Sequence, residues 1–267
     1  DIIYGDNVQV SNCTATGSLK IMSAEEGEKL ARVKQNLYYK RFLRAGSGKI
    51  ASSNFKGIKH VLEVGSYDNA FDISRTVFEH CFDIIKSYHC INIEGCRFDH
   101  CSKIAMRLDE LSKVENCQCN DCYGRLFSTG YDGGVTFQFC EFNNWCTVPE
   151  KNFLSSAMME FNRTRKDGRS NSVKNCIFKG MQANKNFILK SYVTEKVDGY
   201  VLYVETCSFV NCTTTRESKK LINEYDTYWG LFNKGHTIKV TSISDCIGLD
   251  QVNQSSGHVD DVKLKTE

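Results

Sequence analysis

The sequence predicts an all-β fold, a single right-handed parallel β-helix (solenoid) with an N-terminal capping helix, and three observations predict it. A six-residue frame, C-x-F-x-x-C, recurs along the chain. Its early copies return at a nearly constant interval, which is the mark of a solenoid. The frames alternate inward apolar with outward polar residues, the period of a strand and not of a helix.

The frame is clearest in Cys96-Arg97-Phe98-Asp99-His100-Cys101, Cys117-Gln118-Cys119-Asn120-Asp121-Cys122 and Cys207-Ser208-Phe209-Val210-Asn211-Cys212. A copy one residue longer runs from Cys140 to Cys146. Weaker copies begin at Ser53, Thr76, Cys176 and Cys246, with small or apolar residues in place of cysteine. First positions at 53, 76, 96, 117, 140, 176, 207 and 246 are separated by 23, 20, 21, 23, 36, 31 and 39 residues. The short steps each fit one coil. The long ones imply loops or hairpins inserted at 147–172, 182–203 and 213–240, within coils spanning 50–250.

Residues two apart on a strand point the same way, so Cys96 and Phe98 face inward while Arg97 faces water. Two further residues turn the chain, and the next cysteine points inward beyond the corner. Stacking at about 4.8 Å makes each inward position a column of like side chains. That spacing exceeds the ~3.8 Å Cβ separation of a relaxed disulfide, which disfavours a continuous disulfide ladder. The cysteines are therefore packing thiols or scattered disulfides. The residues 23–44 read as a helix covering one end of the stack: Ser23 and Glu26 form a capping-box pair, and Leu30, Val33 and Leu37 share a face. The polar 250–267 reads as a closing strand or tail.

With one proline and 19 glycines the chain shows no linker, so 1–267 reads as one domain. Lys+Arg 34 against Asp+Glu 32 provides no global drive toward nucleic acid. No apolar run is long enough to insert in a bilayer, and the first residues lack the layout of a leader peptide. Sequons at Asn12, Asn162, Asn211 and Asn253 suit a secreted or cell-surface glycoprotein.

These coils resemble the cysteine-rich right-handed β-helix surface proteins of parasitic protists, of trichomonad type, and more distantly the polymorphic outer-membrane protein repeats of bacteria. The resemblance covers about 50–250 and implies a secreted or surface protein with a structural or adhesive role.

Four constellations stand out. The cysteine cluster around Cys117, Cys119 and Cys122 has the donors for zinc but not the paired spacing of a zinc site, so no metal and no cofactor are expected. The corner pairs Glu79-His80, Asp99-His100, Asn120-Asp121 and Asn143-Asn144 could serve a polysaccharide lyase or hydrolase, or could simply be residues that tolerate a left-handed backbone and bond along the column. A basic segment with Arg163, Arg165 and Lys166 is a candidate for acidic glycans, or a solvated turn. An aromatic segment with Tyr225, Tyr228 and Trp229 could stack on sugar rings, dock a partner, or pack on the flank. The favoured reading is a non-enzymatic structural or adhesive scaffold that contacts a protein or glycan partner through inserted loops, or self-assembles. The alternatives are a polysaccharide-cleaving enzyme and an intracellular structural component of a protist assembly.

Overall fold

A computed structural model describes residues 2–32, 41–65, 70–87, 89–109, 111–130, 132–147, 157–163, 169–193, 200–215, 221–226 and 241–248. The chain is almost entirely β, and every strand pairing among these residues is parallel, the arrangement of a solenoid-like stack. The strands form three walls. The first wall holds Leu62–Val64, Ile85–Ser87, Ala105–Leu108 and their successors; the second holds Phe71–Ser74, Ile91–Glu94, Lys113–Glu115 and theirs. Both belong to one 16-stranded sheet because Leu43–Ala51 bends across the corner, pairing Leu43–Ala45 with the first wall and Gly48–Ala51 with the second. The third wall is a separate 8-stranded sheet running from Thr14–Thr16 to Ser208–Val210.

The third wall carries the frames. Phe55, Phe78 and Phe98 stack with centroids 5.4 and 5.0 Å apart and planes within 11° and 5°. Phe142, Phe178 and Phe209 continue the column at 5.0 and 4.7 Å. Cys119 interrupts it, in register between Phe98 and Phe142. One coil on, Phe127 of the first wall meets Phe142 edge-on at 6.3 Å, so a large residue crosses the core where the column is narrow. Each such ring, fully buried, is worth about 1.5–3 kcal/mol.

The first frame position is a column of hydrogen-bond donors. Cys13, Ser53 and Thr76 begin it, and Cys96, Cys117, Cys140, Cys176, Cys207 and Cys246 complete it. Each side chain donates to the carbonyl two residues back: Ser53 Oγ to Ala51 at 2.9 Å, Cys117 Sγ to Glu115 at 3.2 Å, Cys246 Sγ to Ser244 at 3.3 Å. The residue before each donor is left-handed, from Asn12 (φ 53) through Asn116 (φ 53) and Phe139 (φ 53) to Asp245 (φ 50). Serine and threonine therefore replace cysteine not because they are small but because the corner needs a short side chain that donates backward.

The structure corrects several expectations. Coils begin well before residue 50, since Ile3–Ser11 and Thr14–Thr16 already pair with Leu43–Ala51 and Asn54–Lys56. The ranges expected as insertions are not all loop: Ala157–Arg163, Phe187–Val193 and Ile222–Asp226 lie inside them and continue the first wall in order, while 148–156, 164–168, 194–199, 216–220 and 227–240 lie outside the described residues. The helix covers Ala24–Arg32, and by Leu43 the chain is already strand, so no helix reaches 44. Residues 33–40 and 249–267 lie outside the described residues. Ser23 Oγ accepts from Glu26 N at 3.2 Å as a cap should, while the Glu26 carboxylate accepts from Met22 N at 2.7 Å, one residue early. The described contacts of the helix are with the side of the stack. Ile21 and Ala24 cluster with Phe82 and Tyr123, and a Cβ on Gly27 would sit 3.3 Å from that of Tyr123. This flank is joined from coil to coil by single bridges such as Phe82↔Ser102 and Tyr123↔Cys146.

Candidate functional site

The outer face of the 8-stranded sheet is hollowed into a trough of about 1000 Å³, open to solvent and lined by polar side chains from five successive coils. Parallel register builds it from two rows. One row is Arg97, Gln118 and Glu141; the other is Glu79, Asp99, Asn120, Asn143 and Lys179. Alternation aims these side chains outward while Phe78, Phe98 and Phe142 on the same strands fill the core.

The second row is wired along the stack. Asn120 Nδ2 donates to Asp99 Oδ1 at 2.8 Å, and Asn143 Nδ2 donates to Asn120 Oδ1 at 3.1 Å. Arg97 Nε lies 2.7 Å from Asp99 Oδ2, so both carboxylate oxygens of Asp99 accept bonds. Lys56 Nζ sits 2.7 Å from Glu79 Oε1, and this bond holds the Glu79 carboxyl below its ordinary value. On the corner beyond, His80 (φ 51), His100 (φ 53), Asp121 (φ 51) and Asn144 (φ 56) are all left-handed. Asn144 Nδ2 donates to Asp121 Oδ1 at 3.3 Å, and the His80 and His100 rings lie 4.8 Å apart. The next coil places Gly180 there (φ 67), with Asn144 Oδ1 2.7 Å from where a Cβ would stand. The corner pairs thus have both properties anticipated for a structural column: a left-handed backbone and bonds from coil to coil.

Asp99 accepts at both oxygens and Glu79 at Oε1, so both carboxylates are held in place as acceptors. Among the described residues no group of three or more His, Cys, Asp or Glu is placed to hold a metal ion. All fourteen cysteines are free thiols. Burial pushes Cys119 and Cys101 well up and Cys122 up to about 12, which keeps these three protonated and inert.

The frame beginning at Cys140 needs a correction. Register runs Cys119↔Phe142 and Asn120↔Asn143, and the left-handed Asn144 matches Asp121, so Trp145 and not Cys146 takes the place of Cys122. Trp145 is 1 % exposed. Cys146 instead bridges Tyr123 on the flank.

Of the other residues singled out, Arg163 ends the strand Ala157–Arg163 and Tyr225 lies on Ile222–Asp226; Arg165, Lys166, Tyr228, Trp229 and Asn253 lie outside the described residues. Backbone register brings the two segments to the same place, since Asn162 pairs with Tyr192 and Tyr192 with Tyr225. Arg163 and Asp226, where the described parts of the two strands end, are thus in register two coils apart. Asn12 and Asn211 stand exposed on corners, whereas Asn162 is 3 % exposed, enclosed beside Thr129 and Asn171 and out of reach of a glycan in this conformation.

A buried ionic knot lies toward the N-terminal end, where a second hollow of about 1070 Å³ is lined in part by Arg41. Arg41 Nε contacts Glu63 at 2.7 Å, and His60 Nδ1 contacts Asp83 Oδ2 at 2.7 Å. Sequence reading missed this knot, whereas it placed the corner row from Glu79 to Asn143 in one column without its side-chain bonds. The knot has no motif; the row was visible as polar residues at equivalent frame positions.

Among the described residues no helix is long and apolar enough to cross a membrane. No family model, no curated protein and no solved structure matches the chain.

Proposed function

We propose that this chain is a right-handed parallel β-helix whose role is that of a non-enzymatic scaffold, binding a protein or glycan partner on an ordered outer face. Right-handedness follows from the strong preference of parallel crossovers for that hand. The observation that carries the reading is the trough. It presents hydrogen-bonding side chains at fixed intervals, yet its Asp99 and Glu79 carboxylates are committed to neighbouring donors. Such a surface recognises and does not transform. Exposed sequons at Asn12 and Asn211 support a surface or secreted setting, in line with the resemblance to protist surface proteins.

The test is binding of the purified chain to immobilised cell-surface glycoproteins and to intact cells, beside Gln118→Arg, which fills the trough. Saturable binding lost in the variant, with no cleavage of polysaccharides, is the expected result. Cleavage of a polysaccharide would overturn it.

One observation favours a second reading, an intracellular structural part: every cysteine is a free thiol. Glycan found at Asn12 or Asn211 in protein from its native source would remove that reading.

A further inference from the structure

The trough repeats its chemistry once per coil, which selects for a ligand that repeats too. From Glu79 to Lys179 it crosses five paired strands, and four steps of about 4.8 Å make a row of about 19 Å. Along it stand the carboxylates Glu79 and Asp99, then the amides Asn120 and Asn143, then Lys179, with Arg97, Gln118 and Glu141 in the parallel row. Charge narrows the class. Counting the Lys56 that pairs with Glu79, the acids Glu79, Asp99, Asp121 and Glu141 still outnumber the bases Arg97, Lys179 and Lys56, so the trough offers no net positive charge to hold a sulfated or uronic polymer.

Phe139 supplies what a polar row lacks. It sits on the corner two residues before Glu141, is 54 % exposed, and holds φ 53 where the neighbouring coils place Asn116 and Asn175. A bulky side chain in the left-handed region is strained, and an exposed ring adds little burial. The fold alone does not account for it. Ile177, in register with Glu141 on the next coil, is 40 % exposed and adds apolar surface beside Glu141.

We infer that the trough binds an uncharged glycan chain laid along the stacking axis, about one sugar ring per coil, with Phe139 at the margin as the platform for a ring face. This rests on the scaffold reading above and names its ligand.

The experiment is calorimetric titration of the full chain with neutral manno-, gluco- and N-acetylglucosamine oligosaccharides of increasing length, and with heparin oligosaccharides as the anionic control. At least one neutral series is expected to bind, with affinity rising over about the first four rings. Phe139→Asn is expected to weaken that binding about three- to tenfold. The same variant should raise Tm by about 1–3 °C, because asparagine accepts the left-handed corner. A stable variant that binds less is an outcome general unfolding cannot produce. Failure of every neutral series, heparin binding as tightly as the neutral chains, or unchanged affinity in Phe139→Asn would each overturn the inference. If neutral oligosaccharides fail while Gln118→Arg still abolishes glycoprotein and cell binding, the glycan assignment falls and the scaffold reading stands.

Discussion

Trp145 occupies on one coil the place that Cys122 holds on the coil before it, and its indole Nε1 donates to the Gly124 carbonyl at 2.6 Å. The largest side chain in the protein thus stands in a thiol column, with its only polar atom bonded to the backbone of the adjacent coil. Trp145→Cys would restore the repeat and empty the core. It is expected to cost about 3–5 kcal/mol. Trp145→Phe, which fills most of the volume but leaves the Gly124 carbonyl without this donor, should cost about 1–3 kcal/mol. Urea denaturation of both variants checks the order.

Asn171 is fully buried and ties three coils together. Its Oδ1 accepts from Val135 N at 3.1 Å, and its Nδ2 donates to the carbonyls of Asn162 at 3.2 Å and Val201 at 3.1 Å. Asn171→Leu leaves the Val135 amide without that acceptor and should destabilise by about 2 kcal/mol. Hydrogen exchange gives the specific readout: Val135 should lose protection more than the flanking second-wall amides. Equal loss across the wall would contradict the clamp.

Asp83 sets an acid limit. Burial by itself would raise its carboxyl, but the His60 hydrogen bond and the Arg41 charge outweigh burial and hold it below its ordinary value of 3.8. A depressed carboxyl contributes stability that is present above its unfolded value and disappears as pH falls through the folded one. Thermal melts from neutral pH down to strongly acidic buffer should therefore fall more steeply in the native chain than in Asp83→Asn. At neutral pH the variant should be less stable by about 3 kcal/mol, since Arg41 keeps Glu63 and loses its second partner.

The thiols should divide by burial. Cys13 is exposed, Cys90, Cys146 and Cys212 are half-buried, and the remaining ten are buried. Alkylation of the folded chain at mildly basic pH should label Cys13 first, with Cys146 and Cys212 slow because burial pushes each up to about 11. All 14 should label once the chain is unfolded without reductant. Fewer than that would reveal disulfides, and rapid labelling of the buried columns would contradict the packing.

Much of this architecture was legible because parallel stacking turns a sequence period into spatial columns. Phe78 and Phe98 are 20 residues apart in the chain and 5.0 Å apart in space, and the frame alone places them together. The corner row, from Glu79 to Asn143, was legible for the same reason. Its chemistry was not. Which donors the Asp99 carboxylate accepts from depends on Arg97 and Asn120 side-chain geometry, which spacing does not specify.

What the amino-acid order determined by itself is the repeating unit: which positions face inward, which corners must turn left-handed, and that polar residues line one outer face. These follow from steric rules acting over a few residues. Only the tertiary structure decided where the unit is broken. The slip from Cys146 to Trp145, the first-wall strands within the long steps, the contact of Ala24 and Gly27 with the flank, and the clamp at Asn171 all depend on which surfaces fit when distant coils meet. A local period limits the direction of a side chain, but the space it must fill is set by its neighbours one coil away.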